Sequence, residues 1–378
     1  MIPANSDDDR TLAKRRLPRL MFDYLDGAAG AERTARRNLE AFDRVALRQR
    51  VLRDVSALSI DTTVLGRDLS MPVVLAPVGL AGAFATRAEV AAARAAEGSG
   101  LVFCESTVSI CSIEEVAGAT TTPPWFQLYV MRDRSYAESL MARAAAVGVD
   151  TLVLTVDLPV VGPRYREVRN GAAGIATTAS KVRRAVDIAS HPRWVKDVAI
   201  GGKPLVFGNL TDAVPTARNP EQFKAWVDAQ FDPSVVWSDL EWVRANWSGR
   251  LVLKGILDAD DARRATDDGA DGIVVSNHGG RQLEGAPATI DALPAVVDAV
   301  GDRTTVLVDG GVRSGVDVVK ALALGADAAV AGLDLAPRAR VFGHEPGHEL
   351  LVGREHVQRA GGFRVSHRDI LRSVAVTR

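Results

Sequence analysis

Eight short apolar runs, rich in valine, isoleucine and leucine, recur along this chain at 72–76, 101–104, 125–129, 151–156, 251–254, 272–275, 305–308 and 328–331. Alanine-rich amphipathic stretches follow most of them, at 87–97, 112–116, 135–147, 259–268, 290–300 and 314–324. Strand alternating with helix builds parallel βαβ units. The runs are nearly continuous in apolar character, as strands covered on both faces must be. Eight such units predict an α/β fold, a closed (β/α)8 TIM barrel. The competing architecture, an open doubly wound sheet, normally carries an early G-x-G-x-x-G turn, and none is present here.

The pattern predicts a single domain over residues 1–378, with a helical extension before the first strand and two irregular regions. About 95 residues separate the fourth and fifth strand candidates, against roughly 30 for an ordinary βαβ unit. The excess, at 171–244, holds Trp194, Trp226, Trp237 and Trp242 beside Lys181, Arg183, Arg184, Arg193 and Lys196. Two readings stand: an ordered insertion capping one barrel face, or a contact with a membrane surface or a partner, which tryptophan with lysine and arginine suits. The second region is the tail, 333–378, where Pro337, Pro346 and several glycines interrupt helical periodicity. Its histidines, His344, His348, His356 and His367, match no familiar metal-ligand spacing, so no metal is expected.

Composition narrows the function. A net charge of −1 gives no field favouring nucleic acid. Cys104 and Cys111 are too few for a disulfide framework, and reduced, buried thiols are expected. The acidic N-terminus lacks the apolar core of a signal peptide, which points to a cytoplasmic protein.

In a barrel of this kind, function gathers at the C-terminal strand ends. Reading those ends in order gives Ala76-Pro77-Val78-Gly79, then Ser106 and Thr107, then Gln127 and Tyr129, then Thr155 and Asp157 with Arg164 shortly after. Lys254 and Gly255 close the fifth run, Ser276 to Arg281 the sixth, and Asp309-Gly310-Gly311-Val312-Arg313 the seventh. Polar groups at seven successive ends imply a large ligand with many hydrogen-bonding edges. The stretch S-N-H-G-G-R-Q-L, 276–283, sets a proton acceptor, His278, three residues from an anion clamp, Arg281. That pair suits proton removal from a carboxylate-bearing substrate. The D-G-G-x-R turn opening a helix predicts a phosphate site of exposed N–H groups with Arg313.

These motifs, with W-F-Q-L-Y-V (125–130), L-V-L-T-V-D (152–157), K-G-I (254–256), D-G-G-V-R-S-G (309–315) and F-D-Y-L-D-G-A-A (22–29), resemble the FMN-dependent 2-hydroxy acid dehydrogenases over about residues 10–332. Within that family, A-L-R-Q-R-V-L (46–52), I-E-E-V-A (113–117) and F-D-P-S (231–234) are most similar to the quinone-linked bacterial L-lactate dehydrogenases, with (S)-mandelate dehydrogenases next. The resemblance implies FMN over the barrel mouth, contacted by Ala76, Pro77, Val78, Ser106, Gln127, Thr155, Lys254, Ser276, Asp309, Gly310, Gly311, Arg313 and Gly332. It implies that Tyr24, Tyr129, Arg164 and Arg281 bind a small 2-hydroxy acid. His278 would take the proton, helped by Asp157, with Tyr129 and Arg281 also in the catalytic set. Oxidation of L-lactate to pyruvate with a quinone-type acceptor is the first expectation, and another 2-hydroxy acid such as (S)-mandelate the second. Gly79 favours a quinone or other acceptor over oxygen, since oxidase members often carry alanine there. The resemblance further implies a homo-oligomer, a tetramer, attached peripherally to the cytoplasmic face of the inner membrane through the insertion. The chain departs from the family pattern at Leu333, where an arginine normally grips the FMN phosphate. Losing that contact removes about 1.5–3 kcal/mol, or one to two orders of magnitude of affinity. A non-catalytic flavin-binding barrel is therefore the third expectation.

Overall fold

The computed structural model describes residues 3–52, 59–171, 177–213, 229–332 and 375–377. Eight parallel strands close a barrel in chain order: Val73–Leu75, Val102–Ser106, Trp125–Tyr129, Thr151–Thr155, Arg250–Ile256, Gly272–Val275, Thr305–Val308 and Ala328–Ala331. The eighth pairs with the first, Ala329 opposite Val73, so no edge is left open. The predicted (β/α)8 architecture is the observed one, and every strand expectation overlaps its strand.

Side chains alternate along each strand, and the alternation sorts the core. Val74, Val102, Cys104, Trp125, Val153, Val252, Val274, Leu307 and Val330 fill the barrel interior. Their strand neighbours, among them Phe126, Leu128, Leu154, Leu253 and Val308, face outward into one large core shared with the helices. A hairpin absent from the sequence expectations, Thr62–Val64 with Arg67–Leu69, plugs the N-terminal end of the barrel with Val64, Leu65 and Leu69. The strand Ala46–Arg48 pairs antiparallel with Ala375–Thr377.

Three helices form the N-terminal extension: Ser6–Arg16, Arg19–Asp26 and Arg33–Arg44. The first carries Asn5 as its N-cap, Asp7, Asp8 and Asp9 in its first turn, and basic residues in its last. That charge order suits the helix dipole. The third buries Thr34, Asn38, Ala41 and Phe42 on one stripe, packed against the His278 turn and the helix Thr289–Val300.

Within the insertion lie the helix Thr178–Ala189, a short helical run from Pro192 to Ile200, the turn Gly208–Ala213 and the helix Asp239–Asn246. Its tryptophans correct one reason for the interface reading. Trp194 is buried and donates from Nε1 to the Ala83 carbonyl at 2.8 Å. Trp242 donates to Glu138 at 2.7 Å beneath Arg134, and Trp237 packs beneath Arg264. These three rings brace the insertion against the barrel. Trp226 and the tail residues 333–374, including Leu333 and the tail histidines, lie outside the described residues.

Asn209 ties the insertion to the barrel mouth. Its Nδ2 donates to the Ser106 carbonyl at 3.2 Å, and its Oδ1 accepts from the Ile113 N–H at 2.8 Å. Both contacts are buried. Asn209→Ala leaves the Ile113 N–H without that partner and the Ser106 carbonyl with the Ser109 N–H as its remaining donor, so denaturant unfolding is expected to show a loss of about 1–3 kcal/mol. An unchanged midpoint would mean that the insertion is not anchored there.

Candidate active site

The inward alternation that fills the barrel also builds the site. One step beyond Val74, Cys104, Trp125, Val153, Val252, Val274 and Leu307, the next inward positions are Ala76, Ser106, Gln127, Thr155, Lys254, Ser276 and Asp309. Seven strands thus change from apolar to largely polar lining at the same height. Seven of the residues expected to contact FMN, Ala76, Ser106, Gln127, Thr155, Lys254, Ser276 and Asp309, lie on this one ring.

The ring is already hydrogen-bonded. Ser106 donates to Gln127 Oε1 at 3.1 Å, and Gln127 Nε2 donates to Thr155 Oγ1 at 3.0 Å. Across the barrel, Lys254 Nζ lies 2.7 Å from Asp309 Oδ2 and donates to Ser276 Oγ at 2.8 Å. Burial opposes a charge on Lys254, yet Asp309 and Asp157 outweigh it and hold the ammonium above the ordinary lysine value. Asp309 Oδ1 is buried with no hydrogen-bond partner among the described residues. A fixed cation, an orphaned carboxylate oxygen and a run of amide and hydroxyl groups suit a planar heterocycle with hydrogen-bonding edges, and FMN fits that donor set.

Above the ring sits the acid–base pair. His278 Nδ1 lies 2.9 Å from Asp157 Oδ1. With Nδ1–H donated to the carboxylate, Nε2 is the nitrogen free to accept a proton. Burial works against the Asp157 carboxylate, but His278 and Lys254 hold it below the usual aspartate range, so it remains charged at neutral pH. His278 adopts a left-handed backbone, φ 57°, and its N–H donates to Ser276 Oγ at 3.0 Å. That backbone is uncommon for a residue other than glycine.

Two arginines and two tyrosines surround this pair. The Arg164 and Arg281 guanidinium carbons lie 5.5 and 5.2 Å from the Tyr24 ring centre. Arg164 Nη1 also meets Glu167 at 3.0 Å. Arg281 Nη1 donates to the carbonyls of Leu25 and Gly27, at the end of the second N-terminal helix. Burial and the neighbouring Arg164 push Arg281 down to about 10, which leaves it cationic at neutral pH. Burial, then Asp157, raises Tyr129 and keeps its phenol protonated. Its ring is met edge-on by Phe231 at 5.4 Å, so the returning end of the insertion walls this side. Two unlike-charged systems therefore share one mouth: a carboxylate-paired histidine and a pair of cations able to hold an anion.

The structure brings Tyr24, Tyr129, Asp157, Arg164, His278 and Arg281 together from four chain segments. Pro77 and Val78 continue the first strand into a loop, and Val78 packs with the cluster that includes Tyr24 and Phe84. The turn after the seventh strand differs from expectation. Asp317 accepts from the Arg313 N–H at 3.0 Å and from Ser314 Oγ at 2.9 Å, and Ser314 caps the helix Gly315–Ala323. The Arg313 and Asp317 N–H groups are thus engaged within the turn rather than open. Arg313 is exposed, and Gly332 is the last residue described before the tail.

Gly255, which the sequence places at the end of the fifth strand, instead lies inside it. The fifth strand bulges between Lys254 and Ile256, and Gly255 has φ 116°. A Cβ there would lie 2.6 Å from Asp157 Cβ. The bulge is what lets Asp157 come close beneath His278 while Lys254 still faces inward. Gly255→Ala is expected to cost about 1–3 kcal/mol of stability and to lengthen the 2.9 Å Asp157–His278 contact in a crystal structure. An unmoved Asp157 would refute this role.

The FMN-dependent dehydrogenase family model matches residues 13–352. An L-lactate dehydrogenase of Caulobacter vibrioides (strain NA1000 / CB15N) is 54% identical over 332 residues, covering 88% of this chain and 86% of that protein. An L-lactate dehydrogenase of Chromohalobacter salexigens is 52% identical, covering 88% and 84%. Among solved structures, the monotopic membrane protein (S)-mandelate dehydrogenase superposes with a TM-score of 0.83 at 37% identity, covering 90% of each chain. A mandelate oxidase with (S)-4-hydroxymandelic acid gives 0.78 at 32% identity, covering 99% of each. The chain belongs to the FMN-dependent dehydrogenase family.

Proposed function

We propose that this protein oxidises a small (S)-2-hydroxy acid, L-lactate before others, to its 2-oxo acid at a bound FMN. The observation that carries the reading is His278, fixed on Asp157 at 2.9 Å beside two half-buried arginines, Arg164 and Arg281. FMN, when bound, supplies the two-electron acceptor. Ser106, Gln127, Thr155, Lys254, Ser276 and Asp309 would hold its ring, with the Ala76–Val78 backbone, and Lys254 would offset negative charge there. Gly310, Gly311, Arg313 and Gly332 belong to the part of the site that would hold its ribityl phosphate.

Arg164 and Arg281 would bind the substrate carboxylate through charge-assisted hydrogen bonds. Both guanidiniums are held from behind, by Glu167 and by the Leu25 and Gly27 carbonyls, so little side-chain freedom is lost on binding. Tyr24 and Tyr129 present phenols to the carboxylate and hydroxyl. His278 Nε2 takes the substrate proton, and Asp157 stabilises the imidazolium that results. L-Lactate is favoured by relatives of that name at 50–54% identity. (S)-Mandelate is the second reading, favoured by the structural neighbours that carry its name.

We further propose peripheral attachment to an anionic membrane surface and transfer of electrons to a quinone-type acceptor there. No helix among the described residues is long and apolar enough to cross a membrane. Val182 and Val186, one turn apart on Thr178–Ala189, are 59% and 65% exposed, and Ile200 is 77% exposed. Lys181, Arg183, Arg193 and Lys196 lie near them in sequence and are also exposed. Apolar residues ringed by cations suit an interfacial position. The apolar contact thus falls to valine and isoleucine, with the described tryptophans turned inward.

Two outcomes test these readings. His278→Ala is expected to retain FMN while flavin reduction by L-lactate in stopped flow slows by roughly 10²–10⁴-fold. Near-normal reduction would exclude His278 as the base. Val182→Asp with Val186→Asp is expected to abolish co-sedimentation with anionic phospholipid vesicles without changing the reduction rate. Unchanged co-sedimentation would exclude this face.

A further inference from the structure

We infer that Asn38, on the N-terminal helix outside the barrel, is a positioning residue that joins the His278 turn to the Gly310-Gly311 turn. The inference rests on the reading of FMN-dependent hydroxy acid oxidation above. Asn38 is 1% exposed, on the inward stripe of a helix whose other buried residues are Thr34, Ala41 and Phe42. An amide on such a stripe is costly unless its donors and acceptor are matched. Here one N–H and the amide oxygen are matched by a single partner, Asn277. Asn38 Nδ2 donates to Asn277 Oδ1 at 2.9 Å, and Asn277 Nδ2 donates to Asn38 Oδ1 at 2.7 Å.

The orientation of both amides is fixed by the rest of the network. Asn277 Oδ1 also accepts from the Gly280 N–H at 3.0 Å, and its Nδ2 donates to the Pro287 carbonyl at 2.9 Å. A flip of either amide would set donor against donor or acceptor against acceptor. Asn277 lies between Ser276, which meets Lys254, and His278, whose left-handed backbone needs holding. Its side chain bridges the turn to Gly280, so the pair with Asn38 fixes where the imidazole stands.

The same residue forms the floor of the other turn. A Cβ on Gly310 would lie 3.0 Å from Asn38 Nδ2, and one on Gly311 would lie 2.8 Å from the Asn38 carbonyl oxygen. The two glycines therefore press their backbone against Asn38 on one side while the proton-accepting turn bonds to it on another. Asn38 sets the spacing between the group that takes the proton and the segment that would hold the flavin's phosphate arm. A purely structural residue would support stability alone. This placement couples two functional readouts, cofactor affinity and proton-transfer geometry.

The test compares FMN-loaded full-length protein with Asn38→Leu and Asn38→Asp, and with Phe42→Leu, a buried position on the same helix, as control. Three quantities are read: melting temperature, the FMN dissociation constant from fluorescence on dilution, and the rate of anaerobic flavin bleaching by L-lactate. In both Asn38 variants, the dissociation constant is expected to rise and the bleaching rate to fall, each by about tenfold, from the loss of a buried amide pair. Phe42→Leu is expected to lower the melting temperature while leaving both within twofold. The inference is overturned if the Asn38 variants leave affinity and rate unchanged. It is equally overturned if Phe42→Leu reproduces both losses at a matched melting temperature. If Asn38→Leu does not fold, the isosteric Asn38→Asp decides the outcome. If the unmodified protein is bleached by no 2-hydroxy acid, the functional reading fails, and FMN affinity alone still tests Asn38.

Discussion

A single buried ammonium orders this active site. Lys254 is almost fully enclosed, and such a charge persists only if opposite charge and hydrogen bonds meet it. Asp309 from the seventh strand and Ser276 from the sixth do so, at 2.7 and 2.8 Å. Asp157, beyond the fourth strand, adds its field and is in turn held ionised by Lys254 and His278. Four strand ends are thereby fixed relative to one charge. An enzyme that must stabilise negative charge on a ring and on a carboxylate needs positive charge placed in advance, since preorganised groups do not reorganise as the reaction proceeds.

The barrel alone does not make the site. Tyr24 and the carbonyls that hold Arg281 come from the N-terminal helices, and Phe231 against Tyr129 comes from the far end of the insertion. Asn209 carries the insertion back to Ser106 on the ring. The extension and the insertion are walls of one cavity. The exposed valines of Thr178–Ala189 lie in the same insertion that reaches the ring through Asn209.

Much of this was legible in the sequence because it follows from period and position. Eight apolar runs gave eight strands, and counting two residues past the interior layer reaches each polar ring member. The hairpin at 62–69 escaped because its strands are three residues each, too short for alternation to register. Asn38 escaped because its partner lies 239 residues away, although an amide on the stripe of Thr34, Ala41 and Phe42 was a readable anomaly. Gly255 looked like the end of a strand, whereas the strand continues through a bulge to Ile256. The tryptophans misled because composition records which residues are present and not which way they face. Trp194 and Trp242 satisfy their N–H groups inside the protein. The helix start after the seventh strand reads as open in sequence because the return of Asp317 onto the Arg313 N–H, four residues back, is a feature of the folded turn.

The claim on which the rest depends is that the polar ring holds FMN and the groups above it oxidise a 2-hydroxy acid. Anaerobic mixing of the FMN-loaded protein with L-lactate, (S)-mandelate and glycolate, followed by flavin absorbance, tests it most directly. Full bleaching is expected, fastest with L-lactate, with one equivalent of 2-oxo acid formed per flavin. A flavin that stays oxidised with all three acids would contradict it.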